Sequence, residues 1–416
     1  MVRVIEYIIG LTKHAAVQGS AVVMVGSMGA NVLAYLFHLI VGRILGPEQY
    51  GELTALLSLF YIINSASSVL QISLAKFFSS FYANGKPGEA KTLFLKSTQL
   101  IFILCLVGLV AASLLAGPVA VFLQISSPIY FVWLYLIFAT FALAIVPISV
   151  LQAYQKFTAS SVLVNIGATL RLLLGIAGAY VNVGWVLIGN IVSNAVMYGL
   201  YFIPLRFLLR ETSKPLMLTK RSMVSYSLPT LATTLGITAL FSQDVLLVKH
   251  FFPPFEAGIY ASLSVLGKVI FFASSALGFV LFPVVAQRKE RKEDHRKIVW
   301  VSMIVVGGIS CALSVLYFLF PRFIVHALFG TAFDGAIPYV GWFGVFLSLF
   351  TLSSMIINVS LAAGLTRVWV LTVAAAIFQF ALLWLIHGTL GAVIWVNISI
   401  VAVLFVSLLL YYRNAK

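Results

Sequence analysis

Apolar residues dominate this chain in long unbroken runs, and the runs do not alternate with polar positions at period two. A membrane-spanning strand needs only about 9–11 alternating residues, whereas a helix needs about 20 apolar ones. The pattern therefore predicts α-helices. Windows of that length, punctuated by charge, Gly and Pro, predict twelve spans at 16–42, 52–80, 93–117, 128–153, 158–181, 184–207, 222–250, 257–286, 298–320, 335–363, 367–387 and 389–412. Several exceed the minimum length, which permits tilt or ends projecting from the bilayer. Pro147 inside the fourth span predicts a kink or break there. The leader 1–15 reads as an amphipathic segment lying on the inner membrane surface, and it lacks the small-residue site of a cleavable signal.

Composition changes the picture by excluding other solvents. The chain is 62% hydrophobic and 9% charged, with mean hydropathy +1.09. A globular core cannot hide that much apolar surface, so the bilayer must be the solvent. A soluble enzyme or nucleic-acid binder is thereby excluded. The formal net charge of +15 is topological. With the N-terminus inside, 21 of the 26 Lys and Arg fall in inner loops or tails. Arg43, Lys249 and Arg322 fall outside, and Arg171 and Lys268 lie within spans. This bias follows the positive-inside rule and predicts cytoplasmic termini in a plasma (inner) membrane. The cluster Arg288-Lys289-Glu290-Arg291-Lys292 reads as an inner-loop patch facing anionic lipid. Cys105 and Cys311 lie in apolar runs and read as packing residues.

The chain repeats itself. Arg43 is followed by Pro47, Gly51 and Leu56; Lys249 is followed by Pro254, Gly258 and Leu263. Pro47 and Pro254 are 207 residues apart, half the length of the chain. Six spans per half return the chain to the same side, so the halves predict parallel repeats about an axis along the membrane normal. The expected organisation is the leader, a six-helix bundle over 16–210, a cytoplasmic linker over 211–221, and a second six-helix bundle over 222–416.

The run Arg43-Ile-Leu-Gly-Pro-Glu-Gln-Tyr-Gly51 resembles the first outer turn of polysaccharide-export flippases of the multidrug/oligosaccharidyl-lipid/polysaccharide exporter superfamily. Further segments are similar to that family in order and spacing: Leu151-Gln152-Ala153 before Phe157, Arg171-Leu172, Asp244 ahead of Gly258-Ile-Tyr260, Pro283, and Phe329-Gly330 with Phe333. The resemblance implies two six-helix bundles around a cleft that opens alternately to either side, moving lipid-linked oligosaccharides outward. Its drug-exporting cousins move organic cations against Na⁺ or H⁺.

Charge within a span is the most informative remaining signal, because each ionised group near mid-bilayer costs about 2.5–3.5 kcal/mol on insertion scales. Arg171 and Lys268 sit near mid-depth and are candidates to bind a diphosphate head group. Asp244 lies nearer the outer end of its span and is the candidate for coupling to an ion or for gating by pairing with Lys268. His38, Arg43, Asn64, Gln71, Lys76, Gln243 and Gln379 are candidates to line a cavity. Plain alternatives stand beside these: Arg43 and Lys76 as snorkelling side chains, His38 as a packing residue, and the amides as helix–helix glue. An offset of 208 sets Gln379 opposite Arg171 in the repeat.

The six His show no metal-ligand spacing, and no phosphate loop is present, so neither a cofactor nor a motor domain is expected. The longest outer loop, about Pro321 to Asp334, is partly apolar. The expected activity is an alternating-access flippase for a lipid-linked glycan. The alternatives are a cation-coupled multidrug exporter of the same superfamily and a membrane enzyme of polysaccharide synthesis. Expected partners are the glycolipid, membrane lipids, H⁺ or Na⁺, and a polysaccharide polymerase or glycosyltransferases.

Overall fold

The computed structural model describes residues 15–215, 221–290 and 296–414, and the side chains of 22–215, 231–273 and 298–414. Residues 1–14 of the leader, 216–220 of the predicted linker and 291–292 of the basic cluster lie outside the described residues. The described residues are mostly helical, without strands. Helices α1 (15–45) and α2 (47–83) form one helical segment broken at Gly46, whose φ of 70° and ψ of 175° lie outside the helical region. Glycine reaches this conformation without the steric cost of a side chain, and Pro47 is pre-organised as the first residue of the next helix. The chain reverses at this point: the His38 ring and the Tyr50 hydroxyl are 3.2 Å apart, although twelve helical residues would separate them by about 18 Å.

The remaining long helices are α3 (Pro87–Phe122), α4 (Ile129–Ala153), α5 (Phe157–Ala179), α6 (Val183–Tyr201), α7 (Arg221–Phe251), α8 (Pro254–Glu290), α9 (Arg296–Leu319), α10 (Val340–Ala362), α11 (Val368–Leu385) and α12 (Leu390–Asn414). Among the described residues, eleven helical segments are long and apolar enough to cross a membrane, and the first of them holds both α1 and α2. This is an all-α, multi-pass membrane protein. Local structure resets several of the expected limits, and the second and third spans lengthen to 47–83 and Pro87–Phe122. The sixth span ends at Tyr201 rather than 207, where the chain turns into a short helix, Arg206–Leu209. The tenth begins at Val340, because the segment before it forms a short helix, Pro321–Leu328, and a 3₁₀ turn, Thr331–Ala336. Pro147 does not break α4, which continues through it; neighbouring helices in a bundle tolerate such a proline.

The chain forms two compact units. The first holds the described residues of Met1–Phe37, Ser67–Ala116 and Ile129–Arg221. In it, α1 and α5 run in the same direction: the Asn165 amide donates to Gly26 O at 2.9 Å and the Ser161 hydroxyl to Val22 O at 3.1 Å. Helices α5 and α6 run oppositely, with the Ser193 hydroxyl on Gly167 O at 3.2 Å and Gly178 against the Trp185 backbone. Lys91 closes one end of this unit by donating to Leu209 O and Glu211 O, both at 2.7 Å.

The second unit holds His38–Ala66, Gly117–Pro128 and the described residues of Ser222–Lys416. Here α7 and α11 run in the same direction, with Gly236 against Thr372. Gly29 and Asn165 make the equivalent approach in the first unit. Each member of one pair is 207 residues from its counterpart in the other, the spacing of the two Pro-Gly turns. Two contacts within the second unit join a position to its own counterpart. Gly51 meets the backbone of Gly258, and Lys268 lies over Tyr61. Self-counterpart contacts are what parallel repeats about a shared axis produce.

Candidate functional site

Two polar centres lie inside the apolar body, one in each unit. The larger is in the second unit, where α7, α8, α11 and α12 meet. Asp244 on α7 is buried, and its carboxylate accepts three hydrogen bonds: Val245 N at 2.9 Å, the Tyr260 hydroxyl at 2.6 Å and the Asn397 amide at 3.3 Å. The Asn397 amide also lies 2.8 Å from the Tyr260 oxygen, and its carbonyl accepts from Gln379 at 2.8 Å. Gln379 in turn accepts from Gln243, which also donates to Ala376 O at 2.9 Å. Five polar side chains from four helices thus form one connected network. A buried polar group left unpaired costs about 1–3 kcal/mol, which is why such networks hold together only when nearly complete.

Lys268 on α8 is also buried, and it does not form an ion pair with Asp244. Its ammonium lies 4.6 Å from the centre of the Phe241 ring and 5.7 Å from that of Tyr61. Aromatic faces attract a cation without neutralising it. Ten residues separate Lys268 from Gly258, about 15 Å along the helix and half the thickness of a typical hydrocarbon core.

The centre in the first unit is Arg171 on α5. Its guanidinium carbon lies 4.8 Å over the ring of Phe37, and its Nε is buried with no hydrogen-bond partner. Gly175, one turn further along, makes room for the same ring. No acid lies within ion-pairing distance of Arg171 among the described residues. The contact register of the repeat, offset 207, makes Leu172 the counterpart of Gln379, one residue from Arg171.

The other candidates are dispersed. His38 packs edge-on against Tyr50. Arg43 bonds the carbonyls that end the helix Pro321–Leu328. Gln71 reaches Gln152 at 3.3 Å between α2 and α4, and Lys76 is exposed. The Asn64 carbonyl oxygen is buried without a partner. Sequence reasoning quoted Tyr260 only as part of a turn motif and passed over Asn397. One signal was available: Asn397 is an amide inside an apolar span, 207 residues from a second buried amide, Asn190. Among the described residues no three His, Cys, Asp or Glu side chains gather as a metal site would require.

The sequence matches the family described as "Polysaccharide biosynthesis protein" over residues 16–289. No curated protein matches it. Solved structures share its fold across nearly their whole length. A multidrug resistance MATE family transporter of the MOP superfamily, in an inward-facing conformation, has TM-score 0.74 at 14% identity, covering 93% of this chain and 96% of its own. The MATE multidrug transporter DinF-BH, solved as a complex, has TM-score 0.69 at 17% identity, covering 95% and 94%. A MOP superfamily transporter from Pyrococcus furiosus, described as having a binding pocket of reversed polarity, has TM-score 0.65 at 15% identity, covering 94% and 95%. The fold is therefore the MATE-like arrangement of two repeated bundles. With most of its length inside the matched region, the chain belongs to the polysaccharide biosynthesis protein family.

Proposed function

We propose that this protein is an alternating-access flippase that carries a lipid-linked oligosaccharide from the inner to the outer leaflet of the plasma membrane. The observation that carries the reading is two cations within helices of membrane-spanning length, Arg171 over the Phe37 ring and Lys268 over the Phe241 and Tyr61 rings, neither within ion-pairing distance of a carboxylate. Such groups are retained in a bilayer for a partner, and a diphosphate head group has the charge and the oxygen acceptors to satisfy them. Asp244, held by Tyr260 and Asn397, is the candidate for binding a coupling H⁺ or Na⁺. In this reading the protein opens alternately to the two sides of the membrane with the head group bound, while the lipid tail stays in the bilayer. The distribution of Lys and Arg orients both termini to the cytoplasm and the Gly46 end to the outside. A polymerase or glycosyltransferases would meet the glycan on either side.

A cation-coupled multidrug exporter is the second reading, favoured by the buried acid network and by the multidrug transporter of the same fold. Transbilayer movement of a fluorescent lipid-linked oligosaccharide in proteoliposomes separates the two. Movement above empty vesicles, falling at least about tenfold in Arg171→Ala or Lys268→Ala, supports the flippase, because a charge-assisted hydrogen bond is worth about 1.5–3 kcal/mol. Absence of movement with several glycans, beside uptake of an organic cation that Asp244→Ala abolishes, supports the exporter.

A further inference from the structure

Three helices of the first half are divided between the two units. The boundaries fall after Phe37 in α1, after Ala66 in α2 and after Ala116 in α3, so residues 38–66 and 117–128 are compacted with the second half. Helices are stiff. A cycle that moves one unit against the other must bend α1–α3 at these points or detach their ends.

The attachments are specific. Arg43 donates from Nε to Leu328 O at 2.9 Å and from Nη2 to His326 O at 3.0 Å, and also reaches Ala327 O. These carbonyls end the helix Pro321–Leu328, where intrahelical donors run out and the helix dipole is negative. His326 is tied in turn to Asp334 of the 3₁₀ turn at 2.6 Å. Tyr50 is fully buried with its ring against Phe329 and Phe333, at 5.6 and 6.1 Å. At the end of α3 the carbonyl of Phe122 meets His250 Nδ1 at 2.6 Å, and just beyond it Gln124 donates to His250 O at 2.7 Å. Of these ties, the Arg43 fork is charged yet exposed. It can let go into water without stranding a buried charge, as a reversible fastening requires.

We propose that Arg43 is the catch of an outer gate: its guanidinium, by capping the helix Pro321–Leu328, holds the Gly46–Pro47 turn onto the second half, and opening to the outside breaks this cap. The proposal rests on the transport reading above for its direction.

The test uses the full chain in right-side-out membrane vesicles, with Cys105→Ala and Cys311→Ser and a single reporter, Ala55→Cys. Ala55 is buried on α2, one turn from Gly51. Labelling by a membrane-impermeant maleimide should rise at least about tenfold in Arg43→Ala, the factor expected from losing a charge-assisted cap. Arg43→Lys should fall between, since an ammonium offers one centre in place of a fork. Unchanged labelling in both variants overturns the proposal. If Arg43→Ala does not accumulate in the membrane, Arg43→Lys decides alone: a rise of about threefold supports the catch and no rise removes it. The readout needs no substrate. Vesicles that gate in this way but move no glycolipid keep the catch and lose the flippase.

Discussion

Asn190 and Asn397 occupy equivalent positions in the two repeats, and both are buried, so they form an internally controlled experiment. Asn190 donates only to Val186 O, at 2.8 Å within its own helix. Asn397 links three partners on three other helices: Asp244, Tyr260 and Gln379. Changing each to Ala removes the same side-chain volume and leaves similar cavities, so the difference between the variants isolates the interhelical bonds. Interhelical hydrogen bonds in membranes average about 0.6 kcal/mol and reach about 1.7. Three lost bonds therefore predict a difference of about 2–5 kcal/mol. At roughly 2–4 °C per kcal/mol for a unit of this size, Asn397→Ala should melt about 4–20 °C below Asn190→Ala. The assay is thermal unfolding of the purified protein in one detergent, followed by fluorescence-detected size exclusion. Equal melting of the two variants would refute the claim that the network holds the second half together.

Other outcomes follow from particular contacts. Tyr260→Phe deletes the shortest bond to Asp244 and the acceptor of the Asn397 amide, and should lower the melting temperature less than Asn397→Ala, in the same assay, because two of the network's links are lost rather than three and no cavity of comparable size is left. A side chain at Gly258 would collide with the backbone of Pro47, so Gly258→Ala should reduce folded yield sharply; Gly308→Ala, where nothing lies within 4 Å, should be neutral or gain up to about 1 kcal/mol from helix propensity. Asp244→Asn keeps the volume but removes the charge, so movement of substrate should become insensitive to an imposed H⁺ or Na⁺ gradient; retained gradient dependence in flux measurements would remove Asp244 from coupling. Cys105 and Cys311 are both free, so adding reductant should leave the melting curve unchanged.

Much of the architecture was legible in the sequence, because a bilayer imposes a length rule on each segment independently. A run of about 20 apolar residues must be a span wherever it packs. For this reason α4 was expected at 128–153 and is found at Ile129–Ala153, and the Arg43–Pro47–Gly51 turn could be matched to its counterpart half a chain away. Charge inside a span was equally local information, and it singled out Arg171, Asp244 and Lys268. What each of these touches was not legible. Asp244 and Lys268 lie in the same unit without an ion pair between them, the pairing that was one of two roles offered for Asp244; the carboxylate goes to Tyr260 and Asn397, and the ammonium goes to Phe241 and Tyr61. Arg43 carries the mark of a snorkelling side chain but caps a helix 285 residues further on. Whether an apolar run enters the bilayer depends on its own length and composition. Hydrogen bonds and ring contacts depend on the rotation and register of helices distant in sequence, and only tertiary packing decides those.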